Sequence, residues 1–290
     1  MDLVPNKICH CSDEKPKLLQ VKIINACNGK CCFCIDKGNY APTCVDADQM
    51  IEAILSEPDY PTVDITGGEP FLNYDVLLKV LKAIRPYKEY IIVNTNGSLL
   101  SPEKIEQLNG LIDLLKIGLH HYDEDKNAEV FKRRISFDNI EESLRNKQFR
   151  VSLNTVITKA MGEEKEAFID KMVDLAKRLH IDAISLNELR YTGENHGYPE
   201  YAKDHVKGYD VFEKLNVIKY KTSEELITQG CVDDFTYRGI EFRIKRLCGY
   251  KLKPNKPTFK VVYSNGQKLD DWISQEEHDE MIKVKKLVKQ

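Results

Sequence analysis

The stretch that decides the reading is LQVKIINACNGKCCFC, residues 19–34. Leu19–Asn25 reads as a β-strand that runs straight into a cysteine loop, in which Cys27, Cys31 and Cys34 are spaced C-x3-C-x2-C. Four of the nine cysteines fall between Cys27 and Cys34. Thiols so crowded cannot all reach bridging partners at about 5–6 Å Cα separation without strain, so ligation is the better reading. Three thiolates at this spacing can wrap three corners of a cubane iron–sulfur cluster and leave its fourth iron without a protein ligand. Catalytic metal sites keep such an open position, whereas structural sites fill it. A small chelator with an amine and a carboxylate suits it. A structural zinc ion or buried thiols are the competing readings. Zinc wants a fourth ligand close by, and Cys32 is too constrained by its neighbours to serve.

Outward from this loop, short apolar runs alternate with longer amphipathic stretches. Strands are predicted at Thr62–Thr66, Tyr90–Asn94, Leu114–Leu119, Val151–Ile157 and Ala183–Leu189. Helices are predicted between them, at Asp46–Glu57, Asn73–Arg85, from Ser101 with Pro102 in its first turn, in two stretches before Val151, and at Glu163–His180. Strand-then-helix repetition is the mark of parallel strands joined by helical crossovers. Six units fall short of an eight-stranded barrel. The fold class is therefore α/β, a partial (β/α)6 TIM-like barrel with a short C-terminal β-rich extension. After Tyr191 the pattern changes. Tyr191–Gly208 reads as a loop with a short helix, Gln229–Gly249 and Pro257–Leu269 as β-rich segments, and Ser264-Asn265-Gly266 as a hairpin turn. Glu276–Gln290 reads as a charged, solvated helix.

The chain has 290 residues, 42% of them hydrophobic and 31% charged, with a net charge of -3. That balance gives no electrostatic case for a nucleic-acid or membrane partner. No apolar run approaches the roughly 18 residues of a membrane span. The N-terminal MDLVPNKICHCSDEKPK has charges and a proline where a signal peptide carries its apolar segment. A cytoplasmic location is expected.

The remaining motifs sit where strands end, the chemical edge of such sheets. Thr66-Gly67-Gly68-Glu69-Pro70 follows the second strand. Its glycines let backbone approach a ligand, and its carboxylate can accept from an ammonium group. Asn94-Thr95-Asn96-Gly97 ends the third strand as a turn. After the fourth come His120 and His121, which must face opposite sides if extended. With Gly118 pointing inward, His120 faces the chamber and is a candidate contact or proton-transfer group. A hydrogen-bonded polar residue at a strand end is the plainer alternative. Arg190 either binds an anionic substrate group or caps its strand.

The cysteine spacing, with aromatic Phe33 before the last cysteine, resembles the signature of the radical S-adenosylmethionine superfamily. The resemblance covers roughly residues 18–193. Asn94–Gly97, Phe131–Ile140, Val151–Ile157 and Glu188–Gly193 are similar to the subgroup containing the molybdenum-cofactor GTP cyclase and the SPASM-twitch enzymes. Where that subgroup reads Ser-Leu-Asp, this chain has Gly118-Leu119-His120. The resemblance implies that Cys27, Cys31 and Cys34 bind a [4Fe–4S] cluster, that Cys32 is not a ligand, and that S-adenosylmethionine chelates the open iron. It also implies that Gly67, Gly68 and Glu69 bind the methionine amino group and that Phe33 packs near the adenine. Thr95, Asn96, Asn154 and Glu188 would line the cofactor, with His120 and Arg190 as catalytic candidates. One-electron cleavage of the cofactor would release a 5′-deoxyadenosyl radical that abstracts hydrogen from a small-molecule, nucleotide or short peptide substrate of a biosynthetic pathway. A flavodoxin- or ferredoxin-type protein would donate the electron.

The implied organisation is an N-terminal extension over 1–17, the partial-barrel core over 18–193, and a substrate-covering extension over 194–290. The cyclase's C-x2-C with a distant cysteine is missing, and so is the cysteine-dense SPASM extension. Cys9, Cys11, Cys231 and Cys248 would make four ligands for a second cluster if the two ends of the chain met; isolated thiols are the alternative. A non-catalytic iron–sulfur protein for electron transfer or redox sensing is the rival function. Such a protein has no use for Gly67-Gly68-Glu69 beside an open iron.

Overall fold

The computed structural model describes residues 17–31, 33–34, 46–157, 165–188, 218–219, 232–245 and 259–269. In chain order the elements are β1 (Leu18–Ile24), α1 (Ala47–Leu55), β2 (Thr62–Gly67), a 3-10 turn (Pro70–Asn73) leading into α2 (Tyr74–Ile84), β3 (Tyr90–Thr95), α3 (Pro102–Leu108) and β4 (Leu114–Ile117). Next come α4 (Glu124–Phe131), α5 (Phe137–Leu144), β5 (Arg150–Ile157), α6 (Lys165–Arg178) and β6 (Ala183–Glu188). The later strands are β7 (Ile218–Lys219), β8 (Val232–Tyr237), β9 (Ile240–Lys245), β10 (Phe259–Val262) and β11 (Lys268–Leu269).

Local chemistry starts each helix where the sequence signals it. Asp46 accepts from the backbone N–H groups of Asp48 and Gln49 at the head of α1, and Asp123 does the same for Asp125 and Lys126 at α4. Ser101 caps α3 with Pro102 behind it, and Ser136 caps α5. On α2, Leu77, Val80, Leu81 and Ile84 recur at helical spacing and are all fully buried.

All the strands form one sheet, ordered β11-β10-β1-β2-β3-β4-β5-β6-β9-β8-β7. From β1 to β6 it is the expected partial barrel of parallel strands. The parallel run is longer than six, because β10 joins the free edge of β1 and β9 joins that of β6. Helical crossovers do not mark these two strands; each is one arm of an antiparallel hairpin, β10 with β11 and β9 with β8. The first hairpin turns at Gly266 (φ +74°), whose N–H donates to the Tyr263 carbonyl. The described part of the C-terminal region therefore lengthens the sheet at both edges. Tyr191–Gly208, the tail from Glu276, and Cys9, Cys11, Cys44, Cys231 and Cys248 lie outside the described residues.

The two faces of the sheet differ. One carries Leu19, Val21, Val63, Ile65, Val93 and Leu153, fully buried in the helix-covered core. The other, concave face carries Lys22, Asp64, Asn94, Lys116, Asn154 and Asn187. Parallel strands buried on both faces read as continuous apolar runs; this alternation is the pattern of a barrel with a polar interior. Among the described residues, no helix is long and apolar enough to cross a membrane.

Candidate active site

The cysteine loop leaves β1 just past a register shift between Lys22 and Ile24. Cys27, Cys31 and Cys34 are all half-buried. The Gly29 N–H points at the Cys27 sulfur, at 3.4 Å, and the Cys34 N–H donates to the Cys31 carbonyl across a turn that presents Phe33. Three neighbours hold the loop. The Lys30 N–H donates to the Phe131 carbonyl at the end of α4. Asn28 accepts from the Asn96 amide at 2.7 Å and donates to the Ser98 hydroxyl at 2.9 Å. On the third side the Gly68 N–H donates to the Ile24 carbonyl and the Glu69 N–H to the Ala26 carbonyl.

That third tie gives the glycines a use within the fold. A Cβ on Gly68 would lie 2.0 Å from the Ala26 carbonyl oxygen, and one on Gly67 2.3 Å from that of Ile24. Gly67 also has φ +148°, which side-chain-bearing residues rarely adopt. The close approach these glycines permit is thus between β2 and the exit of β1, with no ligand needed to explain it. Glu69 is fully buried. Its carboxylate accepts from the Phe71 N–H (3.0 Å), the Thr95 hydroxyl (2.8 Å) and the Asn96 N–H (2.6 Å). Burial pushes its pKa up, and these three donors pull against that shift. A carboxylate has about four acceptor positions, so one remains for a further donor. Thr95 and Asn96 therefore meet Glu69 directly, and Asn96 passes the connection on to Asn28.

His120 is packed between aromatic rings, with Phe33 edge-on at 4.6 Å and Phe131 tilted at 4.8 Å. Its Nδ1 accepts from the Val156 N–H on β5 at 3.0 Å, which places the proton of the neutral ring on Nε2. Burial lowers its pKa to about 3. At neutral pH it is an uncharged donor and a clamp between β4, β5 and the cysteine loop. As expected for neighbours in extended chain, His121 faces away, ring to ring with Tyr122 and Phe168. Gly118 adjoins the His120 ring: a Cβ there would sit 3.8 Å from Nε2.

Asn154 lies on the concave face of β5, bonded through its Oδ1 to the Asn187 amide of β6 at 2.7 Å. Glu188 ends β6 opposite Ile157. Arg190 lies outside the described residues, as does Cys32. The structure therefore gathers Phe33, Gly67, Gly68, Glu69, Thr95, Asn96 and His120 around the three cysteines. The sequence reading missed Asn28 and Phe131. Nothing in the spacing singles out an asparagine between two cysteines, and Phe131 falls on a helix whose docking partner is remote in sequence.

The radical SAM superfamily profile matches residues 21–176, more than half of the chain. The chain belongs to the radical SAM superfamily. Among its relatives is a probable GTP 3′,8-cyclase of Methanocella arvoryzae, 25% identical over 166 residues that cover 55% of this chain and 52% of that protein. Another is the putative peptide biosynthesis protein YydG of Bacillus subtilis, 26% identical over 149 residues, 49% of this chain and 47% of that one. The chain spans about half the length of these relatives. Among solved structures, SuiB of Streptococcus suis bound to S-adenosylmethionine superposes with a TM-score of 0.64 at 17% identity, covering 88% of this chain and 60% of that one. At that identity the likeness speaks for the fold.

Radical SAM proteins carry a [4Fe–4S] cluster and S-adenosylmethionine, and the residues here fit both. Three half-buried thiols on one tethered loop are the soft donor set iron–sulfur clusters use. Beside them lies a buried carboxylate with an acceptor position to spare.

Proposed function

We propose that this chain is a radical SAM enzyme whose Cys27, Cys31 and Cys34 hold a [4Fe–4S] cluster, with Glu69, Thr95 and Asn96 shaping the adjoining S-adenosylmethionine site. The tether between the cysteine loop and the Gly67-Gly68-Glu69 turn carries the reading, because it fixes three thiols and a carboxylate side by side at the C-terminal ends of β1 and β2. When bound, the two groups supply the 5′-deoxyadenosyl radical that takes hydrogen from a substrate. The protein's part is to position and to exclude water. Phe33, His120 and Phe131 form an apolar wall beside the loop, and Glu69 offers its remaining acceptor position to the cofactor's ammonium. The open side of the barrel takes a small-molecule, nucleotide or peptide substrate, and a flavodoxin- or ferredoxin-type protein delivers the electron.

Anaerobically reconstituted protein, reduced in the presence of S-adenosylmethionine, should yield 5′-deoxyadenosine, and Cys31→Ala should abolish it. An intact cluster that yields none, with or without candidate substrates, sinks the enzyme reading in favour of an electron carrier. Iron analysis of the same sample addresses the second cluster proposed on Cys9, Cys11, Cys231 and Cys248: about eight irons per chain supports it and about four rejects it.

A further inference from the structure

Besides Asn154, which the family resemblance puts near the cofactor, the concave face of β5, β6 and β9 carries polar groups that the cluster site does not use. Asn154, Ser185 and Arg243 are register neighbours across these three strands, with Asn187 two residues further along β6. The Asn187 Nδ2 faces three acceptors: the Asn154 Oδ1 at 2.7 Å and the carbonyls of Ser185 and Thr155 at 3.2 and 3.4 Å. Only an NH2 group satisfies that surrounding, so both side-chain amides have fixed orientations. The Asn154 Nδ2 donor and the Asn187 Oδ1 acceptor are then turned to the barrel interior, each without a partner among the described residues. Beside them the Ser185 hydroxyl, on a residue 8% exposed, has no hydrogen-bond partner. A buried hydroxyl left unsatisfied costs about 1–3 kcal/mol, which a bound ligand would recover.

Three cations on the same wall already have carboxylate partners. Lys116 meets Asp64 at 3.0 Å, Arg150 contacts Glu241, and Arg243 grips both oxygens of Asp234 at 2.8 and 2.9 Å. A phosphate or carboxylate drawn to any of these three would have to displace a carboxylate from its cation. A donor, an acceptor and a hydroxyl side by side on β5 and β6 complement an uncharged group that both accepts and donates.

We propose that Asn154, Ser185 and Asn187 form a substrate subsite for a neutral amide, the peptide unit or carboxamide of a peptide substrate, rather than for the phosphates of a nucleotide. This rests on the enzyme reading above, in which the substrate enters the barrel. The test uses the full chain with its cluster and S-adenosylmethionine, probed by calorimetry with a pool of acetylated, amidated tripeptides and separately with GTP. Capped peptides should bind and GTP should not. Asn154→Asp keeps the oxygen that Asn187 needs but turns the open donor into an acceptor; it should weaken peptide binding about tenfold or more. Ser185→Ala should weaken peptide binding while raising the unfolding temperature, a combination that a purely structural serine would not give. Binding of GTP alone, binding of neither probe, or a matching loss of S-adenosylmethionine affinity in Ser185→Ala overturns the subsite. If 5′-deoxyadenosine still forms in those cases, the enzyme reading survives without it.

Discussion

Histidine 120 shows how burial chooses among the roles a side chain could play. Its position, two residues past an inward glycine, is legible from strand alternation; its charge state is not, because that depends on Phe33 and Phe131 arriving from other parts of the chain. With the folded pKa near 3, the unfolded chain binds a proton more readily than the folded one between that value and about 6.5. The stability contributed by this neutral ring is therefore complete above about pH 6.5 and is lost as pH falls toward 3, at up to about 1.4 kcal/mol per pH unit. Urea unfolding across pH 4–8 should show that slope in the parent protein and a flatter one in His120→Phe. Equal slopes in the two would mean that the imidazole is not buried as described. Glu69 stood out as a candidate carboxylate from its motif, yet its three internal donors come from Phe71 and from the end of β3, contacts only the folded chain shows.

Between elements, the joint that matters most is the one between β1 and β2, and glycine makes it. The sequence places Gly67-Gly68 after a strand, where a turn or a ligand could equally account for them. Register adds a reason of its own: Ile24 stands opposite Gly67, so the missing side chains are replaced by the neighbouring strand's backbone. In Gly68→Ala the new methyl would meet a carbonyl at 2.0 Å with no flexible side chain to move aside, so the exit of β1 must shift. A cost of about 2–4 kcal/mol is expected. A drop in iron retained after reconstitution, measured below the unfolding temperature, should accompany it, because the displaced carbonyl leads directly into Cys27. Normal iron content together with normal stability would contradict the close packing. Helices and the six core strands were legible because caps and periodicity are local signals. Strands β9 and β10 fall in the two stretches read as β-rich, but without the strand–helix rhythm no local signal placed them beside β6 and β1.

Across the whole molecule, the strand that carries the cysteine loop is not an edge. Strand β10, from the far end of the chain, pairs with β1 from Leu18↔Phe259 to Val21↔Val262 and is itself covered by β11. Val261 and Val262 are fully buried and Tyr263 nearly so. An exposed parallel edge at β1 would leave backbone donors and acceptors unpaired beside the site; the late hairpin satisfies them. Closing so long a loop carries an entropic cost recovered only when the pairing is complete, so β10 should be among the last elements to dock and the cluster loop should depend on it. Val261→Pro removes a ladder N–H at a strand held on both sides, with an expected loss of about 3 kcal/mol or more. Leu81→Ala, a fully buried truncation on α2, should cost a comparable 2–5 kcal/mol or so without touching β1. Compared at a temperature where both variants remain folded, only Val261→Pro should lose iron. If the two variants retain iron equally, the hairpin contributes general stability alone and the cysteine loop is held entirely by Asn96, Phe131 and the Gly67-Gly68 joint.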